Sequence, residues 1–177
     1  MHLRAAGMVR RNSNSSNVGT STTYPPDRSD GMAAGATWLL EHAEDTAAAP
    51  DFVWEYLTDV THWADPPARF QLEGPFASGS RGTTFFPERE PLHWVIRDVE
   101  PTRSYTIESQ LEGAVLLFQW IFEALPEKGT RLRQKIGLGG PSQAQHAEQV
   151  RQGFGPTLPE GMRRIATLLA EAERREA

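Results

Sequence analysis

From Thr37 onward the chain alternates apolar and polar positions in short runs, each stopped by glycine or proline. Thr37 to Asp45 is a short apolar run that turns polar and reads as a first strand. Phe70 and Leu72 alternate with Gln71 and Glu73, and Gly74-Pro75 ends them. Thr83 to Phe86 stops at Pro87, and Leu92 to Val99 stops at Pro101-Thr102. Tyr105, Ile107, Ser109 and Leu111 alternate with Thr106, Glu108 and Gln110, up to a hairpin signal at Glu112-Gly113. Leu116, Phe118, Trp120 and Phe122 share one face of the apolar stretch Val115 to Leu125. Leu132, Gln134, Ile136 and Leu138 then alternate with Arg131, Arg133 and Lys135. A period of two with one wet side is the mark of antiparallel strands that pack on one face only.

Two segments carry the helical period instead. Phe52, Val53, Tyr56, Leu57 and Val60 recur every three or four residues behind Pro50, whose missing N–H costs nothing at a helix start. This helix is expected to end near Asp59, with one further turn at Thr61 to Trp63 before Asp65-Pro66-Pro67 stops it. After Gly139-Gly140-Pro141, one stripe takes in Ala144, Ala147 and Val150 and resumes with Leu158, Met162, Ile165, Leu168 and Leu169. One long C-terminal helix is expected, kinked or broken between Gly153 and Pro159. The predicted fold class is therefore α+β: a curved antiparallel sheet of six or seven strands wrapped around a long C-terminal helix, with one or two short helices after the first strand. A curved sheet around a rod leaves a gap between them, and that gap is the expected ligand cavity.

Residues 1–31 lack both periods. Asn12 to Thr23 is small and polar, and Pro25-Pro26 follows. Such a stretch cannot bury enough surface to offset its ordering entropy, so the expected organisation is a disordered tail, 1–31, before a single domain, 32–177. Met32 is an alternative start. The tail carries a net charge of +2, which leaves −7 of the chain's −5 on the domain. That acidity argues against a nucleic-acid partner. Cysteine is absent, which excludes disulfides, thiolate metal sites and a Cys nucleophile. No run approaches the ~18–20 apolar residues of a membrane span, and no signal peptide is visible, so a cytoplasmic location is expected.

Three segments carry a resemblance to a known family. Ala49 to Asp59 (APDFVWEYLTD) matches a Pro-initiated helix ending in Asp, with Trp63 just beyond it. Leu72 to Gly82 (LEGPFASGSRG) is similar to a Gly-Pro-Phe turn followed by a Gly-x-x-Gly hairpin. Gly129 to Leu132 (GTRL) is similar to a final hairpin. On these residues the chain resembles the SRPBCC or helix-grip superfamily of polyketide cyclase/dehydrase-like, START lipid-transfer and plant-allergen-type domains, over roughly Thr37 to Ala172. The resemblance implies the fold and is nearly silent on function, since that superfamily includes carriers, cyclases, hydrolytic enzymes and chaperone activators.

No strong catalytic signature stands out. Gly74 to Arg81 has the outline of a phosphate loop, but its lysine position is Ser80 and it joins two strands, so it reads as a hairpin. Asp59, His62 and Asp65 are spaced for a metal but are also ordinary helix-end residues, and no metal or cofactor is expected. Asn14-Ser15-Ser16 fits a glycosylation acceptor only in a secreted chain. More informative are polar residues of inward parity: Gln134, Tyr105 and Ser109. A buried amide or hydroxyl must find a partner, a water or a ligand. The expected ligand-binding set is Tyr105, Ser109, Phe118, Trp120, Phe122, Gln134, Met162 and Ile165, and the weak catalytic candidates are His93 and Tyr105. His93 and Trp94 lie on opposite strand faces unless a bulge exchanges them. The other parity of the long strand, Val115, Leu117 and Ile121, is also apolar, which points to a homodimer through that face. The leading function is binding of a small hydrophobic molecule (a lipid, polyketide or aromatic). The alternatives are a polyketide cyclase/dehydratase-like enzyme using the same cavity, and a chaperone-activator-like interaction domain.

Overall fold

A computed structural model of the protein describes residues 35–63 and 67–177. The strands are β1 (Thr37–Thr46), β2 (Arg69–Leu72), β3 (Arg81–Phe85), β4 (Leu92–Glu100), β5 (Ser104–Leu111), β6 (Ala114–Ala124) and β7 (Thr130–Gly139). The helices are α1 (Pro50–Thr58), followed by a 3-10 turn at Val60–His62, then α2 (Gln143–Phe154) and α3 (Leu158–Glu176). All seven strands form one sheet in the order β1-β7-β6-β5-β4-β3-β2, with every neighbouring pair antiparallel. This is the expected helix-grip arrangement, and the C-terminal helix is broken within the expected stretch, at Gly155-Pro156-Thr157. The segment 1–31, Met32 and Asp65 lie outside the described residues.

The alternation sorts the two faces. Towards the helices β6 sends Leu116, Phe118, Trp120 and Phe122, and β7 sends Leu132, Gln134, Ile136 and Leu138, all buried. The other face near β1 is laced with charge. Arg131 donates two hydrogen bonds to Asp45, at 2.7 and 2.9 Å, and Arg133 reaches Glu41 at 2.6 Å. The Arg131 hydrogen bond holds the Asp45 carboxyl below the ordinary carboxylate range.

The convex face corrects one expectation. Val115 is 0% exposed and Leu117 1%, so the apolar parity expected to be bare is covered within the chain. Part of that face is visible in detail. Trp38 lies over Gly137, where an added Cβ would sit 2.8 Å from the indole, and Lys135 Nζ stands 4.3 Å from the Trp38 ring. Arg97 and Glu108 face each other at 3.6 Å. The surface that pointed to a homodimer through β6 is reduced to the half-buried Ile121.

The helix α1 is rotated relative to its expected stripe. Val53 and Leu57 are buried, while Phe52, Tyr56 and Val60 are only half-buried. Trp54, outside the periodic set, packs edge-on against Tyr105 and Phe122, with centroids 6.2 and 6.1 Å away. At the far end of the sheet Trp94 lies across Gly82, where a Cβ would fall 2.1 Å from the ring, so only glycine fits. No helix among the described residues is long and apolar enough to cross a membrane.

Candidate functional site

The sheet's inner face carries a transverse row of polar-tipped side chains. Tyr105 on β5 pairs in register with Trp120 on β6, and Trp120 pairs with Gln134 on β7. On β1 the row ends at His42, half-buried, which hydrogen-bonds Glu44 at 3.0 Å. The parity that placed Tyr105 and Gln134 inward in the sequence therefore holds in space. Tyr105 is 0% exposed, Trp120 1% and Gln134 8%.

Against this row lies a small hollow between the sheet and the two C-terminal helices. It is lined on the sheet side by Phe118, Trp120, Gln134 and Ile136, and on the helix side by residues including Phe154, Leu158 and Met162. Of the expected ligand set, Phe118, Trp120, Gln134, Met162 and Ile165 border it, and Tyr105, Ser109 and Phe122 do not. The exposed Thr157 and half-buried Gly161 lie at its rim, beside the α2–α3 break.

The hollow has a volume of about 30 Å³, room for a few water molecules at most. In this structure the expected gap between sheet and helices is no wider than this hollow. Rings pack the inner face around it. Trp54 of α1 and Phe76 of the β2–β3 turn pack on Tyr105, Phe76 with its centroid at 4.9 Å. Phe154 of α2 packs on Phe118 at 5.3 Å. Periodicity gives which face is apolar but not the helix–sheet distance. For that reason the sequence pattern does not mark Trp54, Phe76 or Phe154 for the site. The only signals for them were an aromatic beside the helical stripe, one after Gly74-Pro75, and one between Gly153 and Gly155.

Two polar atoms on the row lack a partner. Tyr105 Oη and Trp120 Nε1 are buried and make no hydrogen bond, and the third such atom among the described residues, Gln143 Oε1, sits at the start of α2. Burial pushes the Tyr105 hydroxyl well above the ordinary phenol range, so it stays neutral and able to donate. By contrast Trp63 donates to the Leu57 carbonyl at 2.9 Å, and Trp94 to Thr84 Oγ1 at 3.1 Å.

Other candidates fall outside this site. His93 stays on the outer face, exposed, with Nδ1 3.1 Å from Thr83 Oγ1. The β4 irregularity comes later, between Arg97 and Glu100, and leaves His93 and Trp94 unexchanged. Ser109 is buried opposite Trp94. Asp59 accepts hydrogen bonds from the Thr61 N–H and hydroxyl, and His62 stacks on Tyr56 with centroids 4.0 Å apart. Both serve the turn after α1. The Gly74–Arg81 segment is the expected hairpin: Gly74 and Gly79 take φ of 82° and 93°, and Ser80 Oγ donates to the Pro75 carbonyl at 2.7 Å.

Residues 37–170 match the family model described as polyketide cyclase / dehydrase and lipid transport. No curated protein matches the chain significantly. Among solved structures, an aromatase/cyclase from Streptomyces sp. R1128 is 20% identical, with a TM-score of 0.57 over 80% of this chain and 96% of that one. A norcoclaurine synthase from Thalictrum flavum is 12% identical, with a TM-score of 0.58 over 78% and 96%. A polyketide-cyclase-like protein from Corynebacterium glutamicum is 19% identical, with a TM-score of 0.56 over 79% and 96%. At these identities the likenesses establish the fold alone.

Proposed function

The chain belongs to the polyketide cyclase/dehydrase and lipid transport family, and on that premise we propose that it binds a small apolar or amphipathic molecule between the sheet and the α2–α3 helices. The observation that carries this reading is Trp120 Nε1, an unpartnered buried donor on a residue that lines the hollow, with the unpartnered Tyr105 Oη on the neighbouring strand. A buried donor without an acceptor costs about 1–3 kcal/mol, and a core kept only for stability has no use for two of them. A bound molecule that meets them removes the cost.

The described structure is the closed form under this proposal, because about 30 Å³ is far below the ~300–1,000 Å³ of a ligand pocket. Opening falls to the helix side. Phe154 and Leu158 flank the Gly155-Pro156-Thr157 break, and Met162 lies one turn further along α3. A break replaces continuous helical hydrogen bonding, so the first turns of α3 can swing without bending a rod. Phe118, Trp120, Gln134, Met162 and Ile165 are the proposed contacts, with Tyr105, Phe122 and Ser109 further along the inner face. We place this binding in the cytoplasm, in keeping with a chain that has no cysteine.

The test is native mass spectrometry of the protein as purified, together with displacement of a fluorescent anilinonaphthalene sulfonate dye by fatty acids and polyphenols. A co-purified small molecule that is lost on denaturation, or saturable displacement, is the expected result. Bare protein with no displacement by any compound overturns the proposal.

A second reading, cyclisation or dehydration of a polyketide-like or aromatic substrate, draws support from Tyr105 alone. A neutral hydroxyl without a partner in a dry site is suited to donate a hydrogen bond to an oxyanion that develops there. On this reading Tyr105→Phe abolishes turnover while leaving binding in place. His93 faces away from the interior and offers it no acid or base. The interaction-domain reading loses its only support with the burial of Val115 and Leu117.

A further inference from the structure

The outer face of the sheet is buried where no described helix lies on it. Val95 on β4 is 3% exposed, Thr106 on β5 2%, and Val115 and Leu117 on β6 0% and 1%. Glu108, beside Arg97 on the same face, is buried with them. Farther along these strands the face opens: Ile121 is half-buried, and His93 and Glu123 are exposed. The burial is therefore a local patch across β4, β5 and β6, and it is complete within a single chain. A solvated sheet face keeps its side chains in contact with water, so this patch has a cover.

The helices are on the other side. Trp54 of α1 meets Tyr105, Phe154 of α2 meets Phe118, and Met162 and Ile165 of α3 line the inner hollow. Trp38 lies over Gly137 on β7, one strand short of the patch. Two stretches of chain lie outside the described residues. One is 64–66, three residues held between Trp63, which packs inside on Trp94, and the approach to β2 at the far edge of the sheet. The other is 1–34, and it ends beside the patch. Gly35 leads into β1, where Thr37 pairs with Leu138 on β7, and Leu138 pairs with Leu116, between Val115 and Leu117. From β1 to β4 the distance is four strand spacings, roughly 19 Å at ~4.8 Å each. An extended chain covers that in about six residues. Residues 24–34 (YPPDRSDGMAA) have length to spare, and they bring Tyr24, Met32, Ala33 and Ala34 to set against Val95, Val115 and Leu117. The small polar run before them, Asn12 to Thr23, offers only Val18.

We infer that the outer face of β4–β6 is a docking site for residues 24–34 of the same chain, which cross the sheet from β1 towards β4 and shield Val95, Val115 and Leu117 from water. An apolar patch left bare on this face would invite a second copy, and the segment occupies that place first. The site is on the opposite side of the sheet from the hollow, so it stands whether or not a ligand binds there.

The chain has no cysteine, so single introduced thiols read the cover directly. Val95→Cys and Val115→Cys change little volume, and His93→Cys supplies an exposed reference on the same face. In the full-length protein the two buried thiols are expected to react with dithiobis(nitrobenzoate) at least ~100-fold more slowly than His93→Cys. Adding Tyr24→Asp and Met32→Asp to the same chain is expected to bring them within about tenfold of that reference. Hydrogen exchange on the unmodified protein needs no variant: amides of residues 27–34 are expected to exchange at least ~tenfold more slowly than those of 12–23. Fast labelling of both thiols, protection that survives the double aspartate substitution, or coil-like exchange at 27–34 overturns the inference. Protection that falls away on dilution overturns it too, and assigns the cover to a second copy.

Discussion

The interior divides into two regions that are built from the same side chains and finished differently. At one end Trp63, Trp94 and Phe70 pack as a cluster, with Trp63 and Trp94 centroids 5.5 Å apart, and both indoles have acceptors. Trp94 even requires a glycine beneath it. Under α2 and α3, Trp120 is as buried as Trp94 but its N–H has nothing to meet, and a hollow lies against it. Burial alone therefore does not tell a structural tryptophan from a poised one. The hydrogen-bond ledger of the indole does, because area burial rewards both equally while an orphan donor penalises only one.

The contrast can be broken most forcefully at its tight end. Trp94→Ala should cost about 3–5 kcal/mol in urea unfolding, the range for large aromatic truncations in a core that cannot collapse. Alkali should act next, on the other end. Because the folded-state pKa of Tyr105 is raised, its contribution is fully present below the unfolded tyrosine value near 10 and is lost as pH rises above it. Between pH 10 and 12 wild type should lose ~2–3 kcal/mol more than Tyr105→Phe does. Thr84→Val deprives Trp94 of its acceptor at nearly constant volume, making the tight end imitate the poised one, at a cost of roughly 1–3 kcal/mol. Smallest, Tyr105→Phe at neutral pH should leave stability unchanged or raise it by about 1 kcal/mol. A clear loss there would mean the hydroxyl is already satisfied, by a trapped water for example, and the two ends would be alike.

Parity made the sheet legible. The alternation around Tyr105, Trp120 and Gln134 placed all three on the inner face, and the Gly153–Pro159 interruptions foretold the helix break. What parity could not supply is depth. Whether Phe118 lines an empty chamber or touches Phe154 depends on a helix–sheet spacing set by many contacts at once. The same limit misjudged the convex face: Val115 and Leu117 looked bare because a two-residue period cannot show what lies over a strand, as Trp38 lies over Gly137. Trp54 escaped the helical stripe because the nine-residue α1 is turned so that this ring meets Phe76, Tyr105 and Phe122.

The pairing of β1 with β7 has a consequence for synthesis. The first strand of the sheet has no partner until the last one has left the ribosome, so a growing chain carries an unzipped edge while roughly the whole meander is translated. Such an edge invites pairing with neighbouring nascent chains. Glu41, Glu44 and Asp45 repel that approach in the interim, and their later engagement by Arg133, Arg163 and Arg131 comes with the segments made last.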